Sequence, residues 1–127
     1  MTPYRNLGVV GGGAWGTALA QLLAAGGAPV RLWAREKEVV DAINGEHRNP
    51  LFLAAIDLSP SLTATASLAD MADLDALLIV VPVPYLRAVL ADLPPGDAPL
   101  IFCSKGMEAG SFAFPIDMAR DLAPQRP

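Results

Sequence analysis

The sequence has little of two residue types on which many functional sites depend. It holds one cysteine and one histidine among 127 residues. A single cysteine, Cys103, cannot form an internal disulfide, which favours a reducing compartment and predicts a cytoplasmic location. Cys103 lies within an apolar run, so we expect a buried, unreactive thiol. The isolated histidine, His47, has no partners at the spacing of a metal site or of a Ser-His-Asp triad, and a surface or loop-packing role is expected for it.

Basic residues and long apolar runs are also scarce. Nine Lys and Arg stand against thirteen Asp and Glu, and the basic residues are scattered, which argues against a nucleic-acid-binding surface. No apolar run approaches the roughly 20 residues that cross a bilayer, and no signal-peptide pattern opens the chain. We therefore expect no membrane insertion. With 53% hydrophobic residues, the chain can fill the core of one domain spanning residues 1–127. A length of 127 residues predicts that there is no second domain.

Glycine, in contrast, is concentrated near the N-terminus. Gly11, Gly13 and Gly16 form a G-x-G-x-x-G pattern between the apolar run Leu7–Val10 and an alanine-rich helix former. The first glycine permits a tight turn, the second lets a pyrophosphate approach the backbone, and the third lets the helix pack closely on the sheet. An ordinary glycine-rich turn is the alternative, but the flanking strand and helix favour a dinucleotide site. A phosphate loop of nucleoside triphosphatases is excluded because Thr17 stands where that motif needs lysine.

The remaining chain alternates between strand and helix patterns. Strands are predicted at 7–10, 30–33, 76–81 and 99–103, and helices at 14–25, 36–44 with Gly45 as its end, 67–72, from Pro84 onward, and 112–122. Residues 46–62 contain two prolines without a sustained period and are predicted to be an irregular connection. This alternation predicts a Rossmann-type, doubly wound, mainly parallel sheet with helices on both faces. Ligands of such sheets bind at the carboxyl ends of the strands.

The end of the second strand bears on the choice of cofactor. Arg35 stands where an acidic residue would bind the ribose hydroxyls of NAD, and a cation suits a 2′-phosphate. NADP(H) is therefore the preferred cofactor, while the neighbouring Glu36 keeps NAD(H) possible. A solvated surface arginine remains the alternative for Arg35. Flavin is disfavoured because its sites also commonly require an acidic residue on that strand.

Lys105 follows the strand at 99–103 and precedes a flexible glycine. Its ammonium could project over the carboxyl edge of the sheet, where it would polarise a carbonyl or hold a phosphate. An ordinary exposed loop lysine is an equally open interpretation.

Several motifs in order resemble bacterial NAD(P)-dependent glycerol-3-phosphate dehydrogenase. They are Gly11 to Ala20, Leu32-Trp33-Ala34-Arg35, His47 to Leu53, Val80-Val81-Pro82 and Ser104-Lys105-Gly106-Met107-Glu108. The resemblance implies that Ala14, Trp15, Arg35 and Lys105 contact NAD(P)H, and that Lys105 also contacts sn-glycerol 3-phosphate. It places Phe52 where the family usually has an aromatic near the cofactor. The family loop usually continues with proline where this chain has Ala54.

The resemblance also implies a longer enzyme, whose helical carboxyl-terminal domain holds the substrate-phosphate motif and the lysine proton acceptor. On this interpretation the chain is the amino-terminal NAD(P)-binding domain, inactive alone, of an oxidoreductase that interconverts dihydroxyacetone phosphate and sn-glycerol 3-phosphate for glycerophospholipid synthesis. Its expected partners are a small-molecule substrate, its own carboxyl-terminal domain and a second copy in a homodimer. Two alternatives remain: a free-standing NADP(H)-sensing module, and another two-domain dehydrogenase of the 6-phosphogluconate or ketopantoate type.

Overall fold

The computed structural model describes residues 4–124 and 126. Strands and helices alternate along this part of the chain, with one short 3₁₀ turn at Leu68–Met71. The elements are β1 (Leu7–Val10), α1 (Ala14–Ala24), β2 (Val30–Trp33), α2 (Lys37–Glu46), β3 (Leu62–Thr65), β4 (Ala76–Ile79), α3 (Val83–Asp92), β5 (Leu100–Phe102) and α4 (Pro115–Leu122).

All five strands form one parallel sheet in the order β3-β2-β1-β4-β5. The central strand β1 is flanked on both sides, with Val9 opposite Leu32 of β2 and Leu78 of β4. The chain therefore winds outward in one direction from β1 to β3 and in the other from β4 to β5. This reversal leaves a crevice at the carboxyl ends of β1 and β4, the usual ligand position in such sheets. The predicted fold class is confirmed.

The core consists of two apolar layers, one on each face of the sheet. Successive side chains of a strand point to opposite faces, so Val9 packs into one layer and Val10 into the other. The first layer joins the sheet to α1 and α2, and the second joins it to α3 and α4. Both valines of β1 are fully buried. The expectation of helices on both faces is thus met, and the two central strands, β1 and β4, are each mostly buried.

The strand β3 was not predicted: it begins at Leu62, the last residue of the predicted irregular connection, and continues over residues 63–65, to which the sequence assigned no element. Its sequence, Leu62 to Thr65, buries only Leu62, because β3 is an edge strand with one neighbour. The Asn44 side chain helps to hold it: its amide donates to the Ala64 carbonyl and its oxygen accepts from the Ala64 N–H, at 2.9 and 2.8 Å. Pairing with β2 and the contacts to Asn44, rather than an apolar pattern in its own sequence, stabilise this strand.

Two helix boundaries also differ from the prediction. Gly45 lies inside α2, and the helix ends at Glu46. The C-cap residue, His47, adopts the left-handed conformation with φ 56° and donates its N–H to the Ile43 carbonyl. The last helix begins at Pro115 instead of residue 112, because Phe112 also has a positive φ, of 59°. The segment predicted as a capped helix at 67–72 is the single 3₁₀ turn.

The last two strands are shorter than predicted and β5 is less buried. β4 ends at Ile79 and β5 spans only Leu100–Phe102. Ile101 is exposed, and Cys103 is half-buried, although the sequence indicated a fully buried thiol. Partial burial still raises the pKa of the Cys103 thiol, which keeps it protonated near neutral pH. Among the helices of the described residues, none is both long and apolar enough to cross a bilayer.

Candidate functional site

The turn between β1 and α1 requires glycine at its first position. Gly11 has φ +132°, a conformation that side chains disfavour, and a β-carbon there would lie 2.9 Å from the Val80 carbonyl carbon. Its N–H donates to the Trp33 carbonyl at 3.0 Å, which ties the turn to the end of β2. The chain can therefore leave β1 this abruptly only with glycine at residue 11.

The close packing of α1 on this turn requires two further glycines. A β-carbon on Gly16 would overlap the Gly11 carbonyl oxygen, and one on Gly12 would lie 2.5 Å from the Ala34 β-carbon. The first turn of α1 thus lies directly against the strand ends. This approach brings the helix N-terminus to the crevice between β1 and β4.

Gly13 differs from its neighbours because open space surrounds it. A β-carbon at Gly13 would meet no atom within 4 Å. Gly13 is the N-cap of α1 and has no side chain to cap the helix, while the Thr17 N–H donates to the Gly13 carbonyl at 2.9 Å. The N–H groups before Thr17 have no acceptor within the helix and carry the positive end of its dipole. This backbone can bind an anion such as a phosphate.

The open space above Gly13 is part of a cleft of about 380 Å³. All the predicted cofactor-binding residues except Lys105 line it, together with residues from the ends of β2 and β4 and from α3. The lining consists of Gly11, Gly12, Gly13, Ala14, Trp15, Gly16, Trp33, Arg35, Glu36, Phe52, Val80, Val81, Pro82, Tyr85 and Val89. The structure therefore brings residues from four separate parts of the sequence to one site.

The cleft is lined by exposed aromatic side chains and by one cationic residue, Arg35. Trp15 and Phe52 are exposed to 56% and 41%, and both line the cleft, which suits them to contact a ligand there. The Arg35 guanidinium lies over the ring of Tyr85, 5.7 Å from its centroid. The attraction between cation and ring holds the arginine at the cleft wall. Glu36, which is half-buried, lines the cleft beside it.

Lys105 is exposed and lies outside the lining of the cleft, on the segment that follows β5. The preceding residue connects this segment to the site, because the Ser104 hydroxyl donates to the carbonyl of Val81, a cleft residue. Farther along, Glu108 accepts a bidentate pair of hydrogen bonds from Arg87 of α3, at 2.9 and 3.0 Å. This pairing lowers the pKa of Glu108 to about 2. Lys105 thus lies between two contacts that fix its segment to the carboxyl edge of the sheet.

The sequence did not single out several residues that the structure places at the site. Tyr85 fell within the helix predicted from Pro84 onward, and Trp33 and Asn49 were identified only as parts of family motifs. Asn49 is fully buried and donates from its side chain to the Gly12 carbonyl. An asparagine in an irregular segment gives no periodic signal, so only the three-dimensional contact reveals it.

Comparison with known proteins finds the same family that the sequence motifs resemble. The family model described as "NAD-dependent glycerol-3-phosphate dehydrogenase N-terminus" matches residues 6–127. The chain is 81% identical over its full length to a glycerol-3-phosphate dehydrogenase [NAD(P)+] of Sphingopyxis alaskensis, of which it covers 38%, and 47% identical over 98% of its length to that of Caulobacter vibrioides, again covering 38%. The chain thus spans well under half the length of these curated relatives.

Solved structures show the same similarity. The crystal structure of glycerol-3-phosphate dehydrogenase from Coxiella burnetii matches with a TM-score of 0.85 at 27% identity, over 97% of this chain and 39% of that one. The yeast enzyme matches with a TM-score of 0.79 at 24% identity, over 98% of this chain and 40% of that one, which supports the fold. The chain therefore belongs to the family formed by the N-terminal part of NAD-dependent glycerol-3-phosphate dehydrogenases.

Proposed function

We propose that this chain binds NADP(H), and with lower affinity NAD(H), as the cofactor-binding domain of a dehydrogenase that interconverts dihydroxyacetone phosphate and sn-glycerol 3-phosphate. The observation that carries the proposal is the open helix N-terminus at Gly13, which lies inside an apolar cleft beside Arg35. The printed names of the relatives, glycerol-3-phosphate dehydrogenase [NAD(P)+], support the same cofactors and substrate.

The cleft fits the parts of a dinucleotide. The unpaired N–H groups around Gly13, Ala14 and Trp15 suit the pyrophosphate, because a dianion needs several donors at once. Arg35 suits the 2′-phosphate of NADP, since a guanidinium can bind a phosphate through two parallel hydrogen bonds. Glu36 offers a carboxylate to the ribose hydroxyls of NAD and accounts for the second cofactor.

The aromatic walls fit the planar rings of the same ligand. The Trp15 and Phe52 side chains lose exposed apolar surface when a flat ring lies against them, which contributes to binding. Gly11 and Gly16 act indirectly in this proposal, because they hold α1 close enough for the pyrophosphate to reach its N-terminus.

Lys105 is proposed to act on the substrate. A bound reduced nicotinamide supplies hydride, and reduction of a carbonyl by hydride leaves negative charge on the carbonyl oxygen. A lysine ammonium at the carboxyl edge of the sheet stabilises such charge or holds the substrate phosphate. Lys105 directly follows Ser104, whose hydroxyl donates to the carbonyl of the cleft residue Val81, and this connection supports a role for its long side chain at the site.

We further propose that residues 1–127 act together with a substrate-binding region that contributes the proton acceptor. The coverage of 38% of the Sphingopyxis alaskensis and Caulobacter vibrioides relatives supports this division of labour. Activity in a cytoplasmic compartment, assembly as a homodimer and a role in glycerophospholipid synthesis are parts of the same proposal.

Titration calorimetry of the chain with NADPH, NADH and ADP-ribose tests the cofactor part of this proposal. We expect a single site per chain, with NADPH binding more tightly than NADH. Absence of binding by all three compounds would overturn the proposal. A complete dehydrogenase containing this chain should then reduce dihydroxyacetone phosphate. Cofactor binding without such activity in the complete protein would instead favour a sensing module.

A further inference from the structure

Asn49 is a fully buried polar residue beside the glycine-rich turn, and its side chain joins three parts of the chain. Its amide nitrogen donates to the Gly12 carbonyl at 3.0 Å and to the Thr17 hydroxyl at 2.8 Å. Its amide oxygen accepts the Phe52 N–H at 3.2 Å. A buried side chain with these partners connects the turn, helix α1 and the segment that carries an aromatic wall of the cleft.

The direction of the Asn49 amide follows from its partners. The Gly12 carbonyl can only accept a hydrogen bond and the Phe52 N–H can only donate one. Reversing the amide would place two acceptors against each other at Gly12 and two donors against each other at Phe52. The orientation with nitrogen toward Gly12 is therefore the one that satisfies both contacts.

This contact also sets the direction of the next backbone N–H. The peptide between Gly12 and Gly13 is trans, so the Gly12 carbonyl and the Gly13 N–H point in opposite directions within the peptide plane. Asn49, together with the Thr17 hydroxyl at 3.3 Å, holds the carbonyl toward the protein interior. The Gly13 N–H consequently points away from this buried network, and Gly13 itself lines the cleft.

The same side chain fixes the position of Phe52. The Phe52 backbone is held through its N–H, and the Asn49 carbonyl accepts the Leu53 N–H at 3.0 Å, which closes the segment into a tight loop. Phe52 is exposed to 41% although it is apolar, so side-chain burial contributes little to its position. Hydrogen bonds to Asn49 therefore fix the backbone position from which the Phe52 ring extends.

We propose that Asn49 is a positioning residue for cofactor binding, which aims the Gly13 N–H at the pyrophosphate and holds Phe52 at the cleft wall. This inference rests on the proposed function, because it takes the ligand to be a dinucleotide. Binding is stronger when donors are already oriented, since no free energy is lost in ordering them.

The test compares Asn49→Ala with Asn44→Ala in the chain of 127 residues. Asn44 is a matched control because its side chain also bridges to backbone, at Ala64 of β3, and does not line the cleft. Two measurements are made on each variant: ¹⁵N relaxation of the Gly13 and Phe52 amides without ligand, and the Kd for NADPH by calorimetry. Thr17→Val, with Thr17→Ser as its conservative partner, gives a second and milder perturbation of the same network.

We expect Asn49→Ala to lower the order of both amides and to raise the Kd for NADPH by about tenfold or more, whereas Asn44→Ala changes neither. If Asn49→Ala does not fold, Thr17→Val carries the test, with the same changes at smaller amplitude and their restoration in Thr17→Ser. Parental amide order at Gly13 and Phe52 in a folded variant overturns the inference. Failure of the parent chain to bind NADPH would overturn the proposed function, while the relaxation data would still decide whether Asn49 orients the turn.

Discussion

The two parts of the proposed site are held in place by different means. The glycine turn, residues 11–16, lies against buried neighbours that leave no room for side chains at Gly11, Gly12 and Gly16. The Lys105 loop, residues 103–114, is held by Arg87 and Glu108, whose side chains are 39% and 24% exposed, and it carries Phe112 at 71% exposure. The proposed pyrophosphate site thus has a closely packed base, whereas the proposed substrate lysine lies on a solvent-facing segment. Substitutions in the first part should affect folding or cofactor affinity, and those in the second should affect turnover.

Substitutions at two glycines of the turn should have the largest effects and separate folding from binding. Gly13→Val should leave the chain folded, because its side chain enters open space, and should abolish NADPH binding, because that space is the proposed pyrophosphate site. Gly16→Ala should instead destabilise the fold by about 3 kcal/mol or more, because its methyl group overlaps the Gly11 carbonyl.

Urea unfolding followed by circular dichroism measures the stability of each variant, and calorimetry measures its affinity for NADPH. Gly45→Val is the control for Gly13→Val, since Gly45 also has open space but does not line the cleft. Parental NADPH affinity in Gly13→Val would contradict the placement of the pyrophosphate.

Lys105→Ala should have the next largest effect, and mainly on catalysis. In the complete dehydrogenase we expect kcat/KM for dihydroxyacetone phosphate to fall by about a hundredfold or more, because a charge next to the developing alkoxide is lost. NADPH affinity should fall much less, since the proposed pyrophosphate contacts are made by backbone at the glycine turn. Steady-state kinetics beside calorimetry distinguish the two effects. Near-normal turnover would make Lys105 an ordinary surface lysine.

Arg35→Ala should change the choice of cofactor. Loss of a charge-assisted pair with the 2′-phosphate should weaken NADPH binding by about 1.5 to 3 kcal/mol, which is roughly 10- to 100-fold in Kd. NADH lacks this phosphate, so its affinity should stay within a few-fold of the parent. Calorimetry with both cofactors checks the ratio, and an equal loss for NADPH and NADH would argue against a 2′-phosphate contact.

Glu108→Gln should have the smallest effect, and one that depends on pH. Hydrogen bonds from Arg87 lower the pKa of Glu108 in the folded chain to about 2, below its ordinary value near 4.5. The pair therefore stabilises the fold fully above about pH 4.5, and this contribution is lost as the pH falls toward 2. The urea midpoint of the parent should exceed that of the variant slightly at pH 6, and the difference should vanish near pH 2. A difference that grows on acidification would contradict this assignment.

The sequence predicted most of the fold where local pattern and tertiary packing agree. β1, α1 and β2 match because a buried apolar strand, an alanine-rich helix and a second apolar run each have the right period. β3 was missed because its pairing with β2, rather than its own pattern, stabilises it. The end of α2 was misplaced because His47 adopts the left-handed conformation that Gly45 was expected to supply.

The sequence likewise identified some of the residues that line the cleft and missed others. The glycine pattern and the position after β2 identify Gly13 and Arg35, since both depend on distance along the chain. Tyr85 and Asn49 depend on contacts between distant segments, with Arg35 and with Gly12 respectively, and the sequence contains no sign of either contact.

The aromatic lining of the cleft has an optical consequence. Both tryptophans of the chain, Trp15 and Trp33, line the same cleft. Indole emission overlaps the absorption of reduced nicotinamide, so a bound NADPH molecule would accept excitation energy from both residues at short range. Emission excited through the two indoles would then fall on binding while the blue emission of the cofactor rose. The protein thus carries an intrinsic fluorescent reporter of its own occupancy, for which no label is needed.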